Sequence, residues 1–202
     1  MPRVLQGDVR QKILQAAEER FWHYGFKKTT IDEIASDAEV GKGTVYLYFE
    51  SKEDIALAII AKFKQCCLEG QEEVARDTTR TPIEKLKAML TFGVMEIHRK
   101  IERAPTTLEM LVVVRPHIRA RLKPYLEHEV ALIAEVLEEG NRMGIFDVPD
   151  TIETARLLKI LVAGFWPPYP VVTPLDAIPD EIGKMIDLAV RGLRRQPGIL
   201  TR

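Results

Sequence analysis

Lys42, Gly43, Thr44, Tyr46, Leu47, Tyr48 and Lys52 fall within one short stretch of the chain. Together they offer two ammonium groups, two phenolic hydroxyls, one aliphatic hydroxyl, one aliphatic side chain and one position without a side chain. That set suits contact with a phosphate-lined groove better than it suits bond-making chemistry. Lysine and tyrosine donors hold phosphates on either side of a groove. A threonine hydroxyl reaches a base edge or a phosphate, and a leucine touches a thymine methyl. Gly43 lets its backbone approach another surface closely. The same residues also fit a plainer description, with the tyrosines half-buried in a core and the lysines solvated. Periodicity alone does not separate the two.

The elements that hold these residues are helical. At 100° per residue Val45 and Phe49 share an inward face, and Gly43, Thr44 and Leu47 lie opposite, flanked by Tyr46 and Tyr48. Lys42 opens this helix, where free N–H groups and positive potential favour a phosphate, and Lys52 opens the next. Glu39-Val40-Gly41 makes a tight turn back to a short helix whose stripe is Ile31, Ile34, Ala35 and Ala38. Thr30 and Glu33 are spaced as a capping box for that helix. Two short helices joined this way read as a helix-turn-helix. A first helix precedes them, with Asp8 as its cap, Val9, Ile13, Ala17, Phe21 and Tyr24 on one face, and Gly25 at its end.

Longer helices follow. Thr81-Pro82-Ile83-Glu84 combines a cap, a first-turn proline and a third-position Glu, ahead of Ile83, Leu86, Leu90, Val94, Ile97 and Ile101. A helix from about Thr106 to Leu122 is expected, kinked at Pro116, with a separate one opening at Pro124. Asp150 and Glu153 cap another, and Asp176 precedes the last. The pattern predicts an all-α chain of about nine helices. Its seam lies near residue 52: a helix-turn-helix domain over 1–52 and a larger helical domain over 53–202.

The runs Thr30-Ile31-Asp32-Glu33-Ile34-Ala35, Val40-Gly41-Lys42-Gly43-Thr44-Val45-Tyr46-Leu47-Tyr48-Phe49 and Ser51-Lys52-Glu53 resemble the amino-terminal signature of the tetracycline-repressor (TetR) family of bacterial regulators. Phe21-x-x-Tyr24-Gly25-Phe26-x-x-Thr29-Thr30 is similar as well, so the likeness covers roughly residues 9 to 57. The resemblance implies a homodimeric transcriptional regulator, most often a repressor, that binds a palindromic double-stranded DNA operator and is released by a small-molecule effector. The matching DNA-contact positions are Thr30, Lys42, Gly43, Thr44, Tyr46, Leu47, Tyr48 and Lys52. Gly41 departs from the pattern, since the family commonly has Ser there. The last two long helices would form a four-helix interface between protomers.

For an unidentified effector, apolar and aromatic residues of the larger domain are the candidates: Phe92, Met95, Met110, Phe165, Trp166 and Tyr169, with Glu109 and His98 as sources of polarity. The alternative is a helical small-molecule-binding protein or enzyme that keeps a vestigial reader. Against an enzyme, the chain shows no nucleophile elbow and no phosphate-binding glycine loop. The four histidines lack metal-ligand spacing, so neither a metal nor another cofactor is expected.

Charge tempers the DNA reading. The chain carries 29 Lys+Arg and 30 Asp+Glu, a net charge of -1, which excludes a uniformly basic coat. Within residues 1–52 the basic and acidic groups balance, so affinity must come from a few placed contacts. Two adjacent cysteines, Cys66 and Cys67, exclude a disulfide scaffold and fit a reducing cytoplasm. The longest uncharged run, Ile160 to Leu175, is too short for a membrane span and holds four prolines. A cytoplasmic protein without a membrane partner is expected.

Overall fold

The computed structural model describes residues 3–167 and 173–193. Among them are eight α-helices and no β-strand: α1 (Arg3–Tyr24), α2 (Ile31–Asp37), α3 (Lys42–Tyr48), α4 (Lys52–Arg76), α5 (Pro82–Arg103), α6 (Thr106–Arg142), α7 (Thr151–Leu161) and α8 (Ile178–Leu193). Short 3-10 turns at Ala163–Phe165 and Leu175–Ala177 lie between α7 and α8.

The chain divides into two compact units. The first comprises Met1–Gln65 and Arg99–Lys123; the second comprises Cys66–His98 and Pro124–Arg202. Helices α4, α5 and α6 each contribute residues to both.

In the first unit, α1 packs on α2 and α2 on α3. The core is made by Ile13, Ala17, Phe21, Phe26, Ile34, Ala35, Val45 and Phe49, all buried. Phe21 and Phe26 meet with ring centroids 5.1 Å apart. Gly25 takes φ +88°, the left-handed conformation that ends α1 at no steric cost. The expected inward stripe of α1 holds except at its end, where Tyr24 is 61% exposed and lies under the Arg20 guanidinium. The helix also starts earlier than its expected cap at Asp8. In the same unit Lys100 reaches Glu18 at 2.8 Å and stands over the Trp22 ring.

The second unit buries Leu68, Leu86, Met89, Leu90, Ile133, Leu137, Leu158, Ile178, Ile182 and Ile186 in one core. Caps match their sequence signals. Glu84 N–H donates to the Thr81 hydroxyl, and Glu153 N–H to Asp150 Oδ1 at 2.9 Å.

An expected helix boundary also fails. α6 runs unbroken for 37 residues through Pro116 and Pro124, where two helices were expected. A proline frees the carbonyl four residues earlier. Here those carbonyls belong to Val112 and Ala120, and both residues, like both prolines, are exposed. Water can take the place of the lost N–H donors, and the helix continues.

Candidate nucleic-acid interface

The local sequence explains how α3 is presented. Thr30 closes a complete capping box: its hydroxyl accepts from Glu33 N–H at 3.3 Å, while Thr30 N–H donates to Glu33 Oε2 at 2.8 Å. Arg20 of α1 braces α2 from the side, bonding Asp37 and pairing with Glu33 at 3.1 Å. The backbone hydrogen bond from Thr30 holds the Glu33 carboxyl below its ordinary pKa, helped by the Thr30 hydroxyl and Arg20. The Arg20 hydrogen bond does the same for Asp37. Glu39 then adopts φ 54°, which turns the chain sharply into α3.

Gly41 is the N-cap of α3: its φ of -72° and ψ of 149° suit that place, but it offers no side-chain oxygen. Along its seven residues the two faces differ sharply. Val45 is fully buried and Phe49 nearly so. Leu47 is 82% exposed and Tyr46 50% exposed. Lys42 and Gly43 are exposed, and Thr44 and Tyr48 are half-buried. A side chain added at Gly43 would meet nothing within 4 Å. The set expected to meet DNA therefore lies on the free face of α3 or at its margins.

The two lysines differ. Lys42 Nζ reaches Asp32 Oδ2 at 2.8 Å, with both groups largely in solvent. That hydrogen bond raises the Lys42 pKa, so the ammonium stays charged at neutral pH. Lys52 Nζ donates to the carbonyls of Phe26 and Thr29, each at 2.8 Å, and sits 4.5 Å from the Phe26 ring centroid. Lys52 thus ties the start of α4 to the turn between α1 and α2.

Sequence reasoning missed two neighbours. Asp32 supplies the counter-charge to Lys42. Arg10 of α1 lies over the Phe49 ring, 5.1 Å from its centroid, and puts a guanidinium at the end of α3. The α1 stripe could have suggested Arg10, which falls next to Val9 and Ile13. No sequence signal pairs Asp32 with Lys42 across the turn.

The family model for bacterial regulatory proteins of the tetR family matches residues 13–59, which include all of α2 and α3. Residues 13–59 carry the amino-terminal domain of the TetR family. The chain is a DNA-binding transcriptional regulator. The transcriptional repressor BepR of Brucella suis is 28% identical over 165 residues, 78% of each chain. The regulator YhgD of Bacillus subtilis is 39% identical over 69 residues, only 32% of this chain and 36% of that one. Among solved structures, the TetR-family repressor FadR of Thermus thermophilus, in complex with lauroyl-CoA, is 26% identical with a TM-score of 0.67. That match covers 94% of this chain and 98% of that one.

The residues expected around an effector fall in both units. In the second unit, Met95, Phe165 and Trp166 pack against the main core. Phe92 lays its ring over the backbone at Gly70, and Trp166 lies against Gly93. His98 Nε2 is 2.7 Å from the Phe165 carbonyl. Met110 is buried in the first unit, where Glu109 lies beside Lys27 and Gly25. Tyr169 lies outside the described residues. Cys66 is exposed and Cys67 buried. No described helix is long and apolar enough to cross a membrane.

Proposed function

We propose that this regulator is a homodimeric repressor that reads a palindromic operator with α3 and leaves it when a small-molecule effector binds. The observation that carries the reading is the exposed face of α3: a large aliphatic side chain at 82% exposure beside a fully buried Val45. A lone exposed leucine is ordinary on a protein surface, but this one shares the free face with exposed Lys42, Gly43 and Tyr46. A groove lined by phosphates and thymine methyls suits that set. Thr44 and Leu47 take the base edges. Lys42, Tyr46, Tyr48 and Thr30 take phosphates, and Gly43 admits the sugar-phosphate backbone. Lys52 holds the turn between α1 and α2 beside them.

Pairing falls to α7 and α8. Leu157, Ile160 and Leu161 form an i, i+3, i+4 group on α7, and Ile160 is 67% exposed. Leu188 of α8 is 73% exposed. A second copy would cover these side chains and set two α3 helices about one DNA turn apart, roughly 34 Å. Repressor function is supported by the names of BepR and FadR, and an effector with an acyl chain by the lauroyl-CoA bound to FadR. Release is a population shift. An effector that favours the non-binding dimer by about 2.7 kcal/mol lowers occupancy about a hundredfold.

Footprinting on DNA from the chain's own upstream region tests this. The proposal requires two protected half-sites on one face of the duplex and loss of both on adding an effector such as lauroyl-CoA or an extract fraction. Protection of a single half-site by a monomer would refute the dimeric operator.

A further inference from the structure

Gln71 of α4 is 1% exposed, at the heart of the second unit. Its Nε2 donates to the Met89 carbonyl at 2.8 Å and to Glu129 Oε1 at 3.0 Å. Two acceptors on one side fix the orientation of the amide, since a flip would set oxygen against oxygen. Its Oε1 is therefore a genuine acceptor, and it has no hydrogen-bond partner among the described residues. Buried acceptors are rarely left unmet, so this one is a place for a buried water or for the donor group of a ligand that displaces it.

The surroundings say what that is. Glu129 is buried, and its other oxygen accepts from Lys159 at 2.7 Å, so its charge is already matched. A cationic ligand would find no uncompensated charge there. An anion would face the Gln71 oxygen and the Glu129 carboxylate, and would lose the water that stabilises it. A neutral O–H or N–H would pair with Oε1 and leave the Lys159–Glu129–Gln71 chain intact. The side chains packed beside Gln71 include two aromatic ones. Gln71 Nε2 and Trp166 Cζ2 lie 3.9 and 3.2 Å from the point where a Gly93 Cβ would stand, and Phe92 covers Gly70, the residue before Gln71.

We infer that Gln71 is the polar anchor of an effector site, and that the ligand it takes is an apolar or aromatic molecule carrying a neutral hydroxyl or N–H that Gln71 Oε1 accepts. This deepens the effector-released reading and rests on it for the link to DNA, but not for the binding itself.

Calorimetry on the full chain with two matched probes, 2-naphthol and 2-methoxynaphthalene, tests the assignment. They differ chiefly in the hydroxyl hydrogen. The expected result is that 2-naphthol binds at least tenfold more tightly, and that Gln71→Met brings the two within about twofold. Equal affinities in the parent protein, a naphthol preference that survives Gln71→Met, or binding of neither probe would overturn it. If Gln71→Met does not fold, a crystal structure of the parent with 2-naphthol reads the contact directly. The probe oxygen within hydrogen-bond distance of Oε1 supports the assignment; a water retained there with the probe bound elsewhere overturns it. A DNA-release assay separates the two levels. Gln71-dependent naphthol binding that leaves DNA affinity untouched supports the anchor and removes its link to release. Release by a compound indifferent to Gln71→Met supports the regulator and overturns the anchor.

Discussion

Asp32 and Lys42 pair across the turn between α2 and α3, carboxylate oxygen to ammonium at 2.8 Å. The one cation at the start of the exposed helix is thus shared with an acidic neighbour. A DNA phosphate arriving there competes with Asp32 for Lys42, and Asp32 itself repels it. Asp32→Asn is expected to tighten DNA binding about two- to fivefold, the modest effect of a solvent-exposed charge pair. Lys42→Ala should weaken it across sequences and lower the salt slope by about one. Binding curves over a salt series check both.

Gly43 separates stability from function. It stands inside a helix, and a Cβ there would touch nothing in the protein. Gly43→Ala should therefore stabilise the fold, by about 0.5–1 kcal/mol. If the α3 backbone lies against DNA, the same methyl group should cost at least tenfold in operator affinity. Thermal unfolding and a binding titration on one preparation give both signs. A variant that is more stable and binds DNA as well as the parent would remove Gly43 from the contact surface.

The dimer proposal predicts a clean split. Leu188→Glu places a charge on an exposed position of α8, where it should leave the protomer folded. It should shift the chain to monomer in sedimentation and weaken operator binding at least tenfold. Ile160→Glu on α7 should act alike. An unchanged dimer in both variants would move the interface elsewhere.

Acid should weaken the helix-turn-helix together with the start of α5, where hydrogen bonds from Thr79 and Thr81 hold the Asp77 and Glu84 carboxyls low as well. Glu33 and Asp37 have lowered pKa values, through the Thr30 backbone hydrogen bond and the Arg20 hydrogen bond respectively. A lowered carboxyl pKa means a contribution to stability that is complete above the unfolded value of about 4 and lost as pH falls through the lower folded value. Lys42 has the opposite sign. Its raised pKa keeps its contribution complete below about 10 and loses it only as pH rises further. The unfolding midpoint should be nearly flat between about pH 5 and 9 and fall below about pH 4. Glu33→Gln should lower the plateau and flatten that acidic arm; an unchanged arm would mean that these carboxylates do not govern it.

Much of the reader was legible because its signals are local. Thr30 and Glu33 are three residues apart, Val45 and Phe49 four, and a cap or a helix face is decided within one turn. The ends of α3 and the exposure of Leu47 follow from such spacing. Tyr24 did not, since its periodicity points inward while Arg20 provides a partner outside the core. Pro124 misled for a different reason. Whether a proline breaks a helix depends on whether water reaches the freed carbonyl, and exposure is a tertiary fact. The Gln71–Glu129 contact spans 58 positions and Lys52 with the Phe26 carbonyl spans 26. No spacing rule foresees such pairs. Residue type alone groups Met110 with Phe92, and the fold assigns the two to different units.

The central claim is that the exposed face of α3 reads a DNA sequence. Selection from a randomised duplex pool tests it most directly, run with the parent chain, Lys42→Ala and Leu47→Arg at about 100 mM salt with competitor DNA. The parent is expected to select an inverted repeat with half-sites about one helical turn apart. Lys42→Ala should select the same sequence at weaker enrichment, and Leu47→Arg a changed base preference within each half-site. No enriched sequence from folded parent protein stripped of bound small molecules, or one motif shared unchanged by the parent and Leu47→Arg, would contradict it.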